Sequence, residues 1–113
     1  MSRDEDKIYL GHMLDMTRRA ISAIDSKSRE AFDEDEILRL GLTHIVQVIG
    51  EAAGRVSEDF PKEHPEIPWR RIIGMRHRIV QDYMRVDEDI LWPVVNHDLP
   101  DLLPRLEKIL PDE

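Results

Sequence analysis

An all-α fold, an up-and-down bundle of four or five helices, is what this chain of 113 residues predicts. Three observations carry it. Apolar residues recur every three or four positions along most of the length. No stretch alternates with period two over a useful length, so no sheet is expected. Charged residues make up 35% of the chain, enough to coat the outer faces of helices. A chain this long is read as one domain, residues 1–113, with one modest core. Broad apolar seams make a symmetric homodimer the expected assembly.

The first helix is placed from about Asp4 to Ser26, because Leu10, Leu14, Thr17, Ile21 and Ile24 form one stripe. Tyr9, Met13, Met16 and Ala20 widen its apolar side, and Asp25 to Ser28 break the pattern. The second opens near Asp33, where Glu34, Asp35 and Glu36 suit the positive end of a helix dipole. Its seam is Leu38, Leu42, Ile45, Ile49, Ala52 and Val56. Gly41, Gly50 and Gly54 lie inside it and suggest close approach of a neighbouring helix. Pro61, Pro65 and Pro68 should make DFPKEHPEIP a rigid, non-helical linker. The third helix starts at Pro68 and carries Trp69, Ile72, Ile73, Arg76, Ile79 and Val80. The fourth starts at Asp87, Glu88 and Asp89, and Pro93, Pro100 and Pro104 should bend or divide it. Trp69 and Trp92 are expected as core anchors.

With no cysteine, disulfides and thiolate chemistry are excluded. The N-terminus reads as neither a signal peptide nor an apolar span, so a cytoplasmic location is expected. The charge is unevenly distributed. Five arginines against one aspartate between Trp69 and Arg85 give +4, which leaves −12 on the rest of a chain whose formal total is −8. Such a segment suits either phosphate binding or a solvated face of ion pairs.

Other chemistries find little support. His12, His44, His64, His77 and His97 lack the spacing of a metal site, and neither a metal nor a cofactor is expected. IGEAAG is a helix segment and not a phosphate loop, and no nucleophilic serine motif is present. The arginine-rich segment remains. A guanidinium binds two phosphate oxygens at once and keeps its charge, a histidine moves protons near neutral pH, and a tyrosine stacks on bases. Together they could bind RNA. They could also cleave it without metal, a base taking the 2'-hydroxyl proton while arginine stabilises the charge that develops at phosphorus.

The stretch GMRHRIVQDYMRVDEDILW resembles the signature of HepT-like proteins of the HEPN superfamily, whose motif is Arg-x4-His-x-Tyr after Gly-Met. VIGEAAGRVS, IPWRRIIGMR and DLPDLLPRLEKIL resemble further family segments, so the likeness covers most of the chain from Asp33 to Leu110. It implies a HEPN-like bundle acting as a homodimer, and a metal-independent endoribonuclease toxin of a type VII toxin–antitoxin system. The implied partner is an MNT-type nucleotidyltransferase antitoxin that transfers AMP to the motif tyrosine. Carried over by position, Arg76 is the motif arginine, contacting RNA and serving catalysis. Tyr83 is the motif tyrosine, an RNA contact and the site of AMPylation. Apart from the resemblance, Arg78 is a further candidate RNA contact, and Glu51 is read either as a carboxylate that orients an arginine or as a solvated or capping one.

The motif histidine should stand at 81, and residue 81 is Gln. An amide keeps hydrogen bonds and loses proton transfer near neutral pH. Loss of a general acid or base costs about 10²- to 10⁴-fold in rate. Impaired activity is therefore expected, the alternative being a catalytically silent module that holds RNA, nucleotide or the nucleotidyltransferase. On a helix His77 shares a face with position 81 and could reach the same pocket, a rescue ranked last of these accounts.

Overall fold

The computed structural model describes residues 3–82 and 85–110; for Arg3, Asp4, Arg76, Val80, Gln81, Asp82, Arg85 and Val86 it describes the backbone alone. The elements are α1 (Arg3–Ile24), α2 (Arg29–Glu34), α3 (Glu36–Arg55), α4 (Phe60–Glu63), α5 (Trp69–Ile79), β1 (Val80–Asp82), β2 (Arg85–Val86), α6 (Glu88–Pro93), a π-helical segment (Val94–Asp98) and α7 (Leu99–Ile109). The fold is an all-α bundle, as expected. α3 lies between α1 and α5, and α7 closes the other side of α1.

The core follows the helical periodicity. Leu10, Met13, Leu14, Thr17 and Ala20 of α1 face Leu42, Val46, Ile49 and Ala53 of α3, and Ile72, Met75 and Ile79 of α5 complete that layer. On α3 the fully buried line therefore includes Val46 and Ala53, while Leu38, Ile45 and Val56 of the predicted seam are only partly buried. Ile73, predicted on the apolar side of α5, is 40% exposed, and Met75 fills the core instead. Trp69 is buried, its indole N–H donating to the His64 carbonyl at 2.9 Å. Trp92 packs at the core edge, its ring 5.1 Å from that of Phe32.

The first break falls where expected. Ser26 takes a left-handed φ of 62°, and the Ser28 hydroxyl accepts from the Ala31 amide at 3.0 Å to open α2. Asp35 caps α3 in the same way, accepting from Leu38 at 2.9 Å. The linker after α3 is partly helical, contrary to expectation. Pro61 sits in the first turn of α4, where its missing N–H costs nothing. Of the three glycines of α3, only Gly50 marks a close approach. A Cβ there would lie 3.1 Å from the Ile72 carbonyl oxygen, whereas Gly41 and Gly54 meet open space.

The expectation of no sheet is overturned by a short antiparallel hairpin. β1 pairs with β2, Val80 opposite Val86 and Asp82 opposite Arg85. α5 stops at Ile79 because its terminal carbonyl is taken by the returning chain, the Asp87 amide donating to it at 2.7 Å. Val80 and Val86 are β-branched and suit strands. Strands of three and two residues are too short to show any alternation. Past α6 only Pro93 meets the expectation of a division: Pro100 sits in the first turn of α7, and Pro104 lies inside that helix without ending it. The chain enters the π-helical segment after Pro93, and the Asn96 amide group donates to the Trp92 carbonyl at 2.9 Å.

Candidate functional site

α5 presents three faces. Trp69, Ile72, Met75 and Ile79 point into the core. Arg71 and Arg78, two turns apart, share Asp98 of the π-helical segment. The Arg71 guanidinium holds both Asp98 oxygens at 3.0 and 3.1 Å, and Arg78 reaches Oδ2 at 3.9 Å. Ile73 and His77 face α3, where with Gly50, Glu51, Gly54 and Arg55 they line an open cleft of about 430 Å³. The absence of a Cβ at Gly50 lets the two helices approach closely at the floor of this cleft.

Inside the cleft Glu51 and Arg55 form an ion pair one turn apart, Arg55 Nη2 lying 3.2 Å from Glu51 Oε1. The Arg55 pKa is raised, first by the hydrogen bond to Glu51 and also by one to the Tyr9 hydroxyl of α1. The guanidinium is thus a permanently charged group on an exposed helix face. Sequence reasoning missed Arg55, although its spacing from Glu51 in GEAAGR is that of an i,i+4 pair.

The predicted site residues are partly brought together. His77 is exposed and shares the cleft with Glu51. The arginine beside Glu51 is Arg55, and the Arg76 side chain lies outside the described residues. Arg76 stands on α5, next to His77. Gln81 stands on β1, its side chain again outside the description, and Tyr83 lies outside the described residues altogether. The helical argument that put His77 and position 81 on one face is corrected here. The helix ends at Ile79, so the four-residue spacing no longer aligns them. Arg71 and Arg78 pair with Asp98, which accounts for part of the positive segment as surface ion pairing.

The return of the hairpin is held from the opposite side. Arg39 donates to the carbonyls of Phe32, at 2.8 Å, and Asp33, and its Nε lies 3.3 Å from Glu88. Arg29 pairs with Asp33 at 2.9 Å and with Asp89 at 2.6 Å. Two cations thus clasp the acidic start of α6, just after β2.

A helical bundle with an arginine-bearing helix is the frame the resemblance implies, and the hairpin after α5 is an addition to it. The Ribonuclease HepT-like family model matches residues 13–109, from α1 through α7. The chain belongs to the HepT-like family. Its HepT-like relatives include "Probable ribonuclease HepT" of Thermococcus cleftensis, 35% identical over 94 residues, covering 80% of this chain and 86% of that protein. Another is "Putative RNase TTE0752" of Caldanaerobacter subterraneus subsp. tengcongensis, 30% identical over 105 residues, covering 93% and 94%. A third is "Putative RNase MJ1380" of Methanocaldococcus jannaschii, 25% identical over 107 residues, covering 95% and 98%. No solved structure matches. The family and these relatives make this HepT-like chain a ribonuclease-type HEPN protein. Among its described residues no three His, Cys, Asp or Glu side chains converge as a metal site, and no helix is long and apolar enough to cross a membrane.

Proposed function

We propose that this HepT-like chain is the toxin of a type VII toxin–antitoxin system, built on a metal-independent endoribonuclease site that Gln81 has impaired. The observation that carries the reading is the family match over residues 13–109, which takes in the Arg76-x4-Gln81-x-Tyr83 run. It is read as one HEPN-like domain over 1–113, cytoplasmic, acting as a homodimer whose two motifs face each other.

In the reaction a base removes the 2'-hydroxyl proton, the 2'-oxygen bonds to the adjacent phosphorus, and the P–O bond to the 5'-oxygen breaks, leaving a 2',3'-cyclic phosphate and a 5'-oxygen that takes a proton from an acid to become the 5'-hydroxyl. Arg76 stabilises the extra negative charge at phosphorus, and Arg78 and Tyr83 hold the strand. A histidine at 81 would move the proton, but Gln81 holds hydrogen bonds and moves none. His77, exposed on the neighbouring cleft, is the nearest described imidazole in sequence, but with α5 ending at Ile79 no helical face joins it to position 81, so replacement by it ranks last. An MNT-type nucleotidyltransferase antitoxin supplies control, the Tyr83 oxygen attacking the α-phosphorus of ATP to take AMP and release pyrophosphate.

Gln81 also favours a second reading, a catalytically silent module that keeps RNA or its nucleotidyltransferase partner without cutting. Cleavage assays on the chain and its Gln81→His variant in excess EDTA separate the two. The toxin reading expects cleavage to rise about 10²-fold or more in the variant. No cleavage by either chain sinks it in favour of the binding module. Equal cleavage by both transfers the role to His77, which His77→Ala then tests.

A further inference from the structure

A second depression adjoins the α3–α5 cleft. It lies between α1 and α3, has a volume of about 320 Å³, and is lined by Tyr9, His12, Val48, Glu51, Ala52 and Arg55. Glu51 and Arg55 line both depressions, so the two meet on the exposed face of α3. One end carries His77, the residue after Arg76, and the other carries Tyr9 and His12. Neither Tyr9, His12 nor Arg55 belongs to the Arg-x4-His-x-Tyr motif.

We infer that the α1–α3 depression is a subsite for the nucleotide next to the scissile one, so that single-stranded RNA crosses α3 from His77 to His12. This rests on the ribonuclease-type reading above and extends it to residues outside the motif. Arg55 supplies the phosphate contact. Its guanidinium has five N–H donors in a planar fork, of which Glu51 engages one at 3.2 Å, and it stays 59% exposed. Its ion pair with Glu51 keeps the guanidinium at the edge that the two depressions share. Tyr9 and His12 supply the base contact. Their rings meet edge to face with centroids 6.5 Å apart, which leaves the exposed imidazole as a platform. Each depression is near the lower end of small-ligand sites in size, which suits one nucleotide apiece. Aromatic and imidazole surfaces select an unpaired strand, because only there are base faces free to stack.

The chain is itself a suitable binding reagent, since Gln81 limits cleavage during the measurement. A short fluorescent oligouridylate is titrated against it and against Arg55→Gln, His12→Ala and Arg76→Ala, with helicity and melting checked for each. The subsite predicts binding about tenfold weaker in Arg55→Gln and severalfold weaker in His12→Ala. It predicts a salt slope smaller by about 0.7 in Arg55→Gln, one phosphate contact being lost. A 4-thiouridine strand should crosslink the unaltered chain at Tyr9 or His12. If both groove variants bind as the parent does while Arg76→Ala weakens binding, the subsite is wrong and the ribonuclease-type reading stands. If the parent binds no RNA, that reading fails and takes the subsite with it.

Discussion

Gly50 shows how much one missing methyl decides. Its backbone faces the carbonyl of Ile72, and this contact sets the distance between the helix bearing Glu51 and the helix bearing His77. Gly50→Val puts branched carbon against backbone that cannot turn aside, and thermal or urea unfolding should show a loss of about 2 kcal/mol. Gly41→Ala meets open space in the same helix and should gain up to about 1 kcal/mol from helix propensity alone. Opposite signs for the two variants would confirm that one glycine is for packing and the other is not. The sequence displays three equivalent glycines in this helix, and only the partner's position distinguishes them. Ser26 is a similar case, since its left-handed φ of 62° is a conformation that glycine adopts without strain. Ser26→Gly should therefore be neutral or stabilising in the same unfolding assay.

At the scale of elements, two polar ties hold the parts that carry the site. Asp6 of α1 is only 1% exposed and accepts from the Ser57 amide at 2.8 Å and the Ser57 hydroxyl at 2.7 Å. This fixes the end of α3, just past Arg55, against the start of α1. Asp6→Ala should cost about 2 kcal/mol in chemical unfolding, because a buried carboxylate that satisfies two donors is lost. The second tie is Arg39, which joins the end of α2 to Glu88 after the hairpin. Arg39→Met should loosen the hairpin's base, read as faster hydrogen exchange of the Asp87 amide, by about tenfold for a loss of 1–2 kcal/mol. Unchanged exchange would make Arg39 a tie of α2 alone. Both ties join residues 49 or more positions apart. Helical periodicity, a local signal, carries no trace of them.

For the whole molecule the expectation is a single cooperative unit. Trp69 sits in the α4–α5 corner against Phe60, and Trp92 against Phe32 near α6, so the two indoles report from separate corners. Single-tryptophan variants, Trp69→Phe and Trp92→Phe, should unfold with midpoints coincident with their loss of helical circular dichroism. Separate transitions would divide the chain into two units and undo the reading of one domain over residues 1–113.

The chain's own pattern determined the helical class, the break around Ser26, the acidic openings of α3 and α6, the interruption after Pro93 and the family. These are local matters, set by side-chain period, capping chemistry and the missing N–H of proline. Tertiary structure decided the rest. It ended α5 at Ile79 through a hydrogen bond from Asp87, and so removed the helical alignment of His77 with Gln81. It exposed Ile73 and buried Met75, because the direction of α3 chooses which flank of an amphipathic helix becomes core. It also gathered His77, Glu51, Arg55 and Tyr9 from three helices onto one face. Contacts between distant segments depend on where neighbouring helices lie, and the period of a single helix holds no information about that.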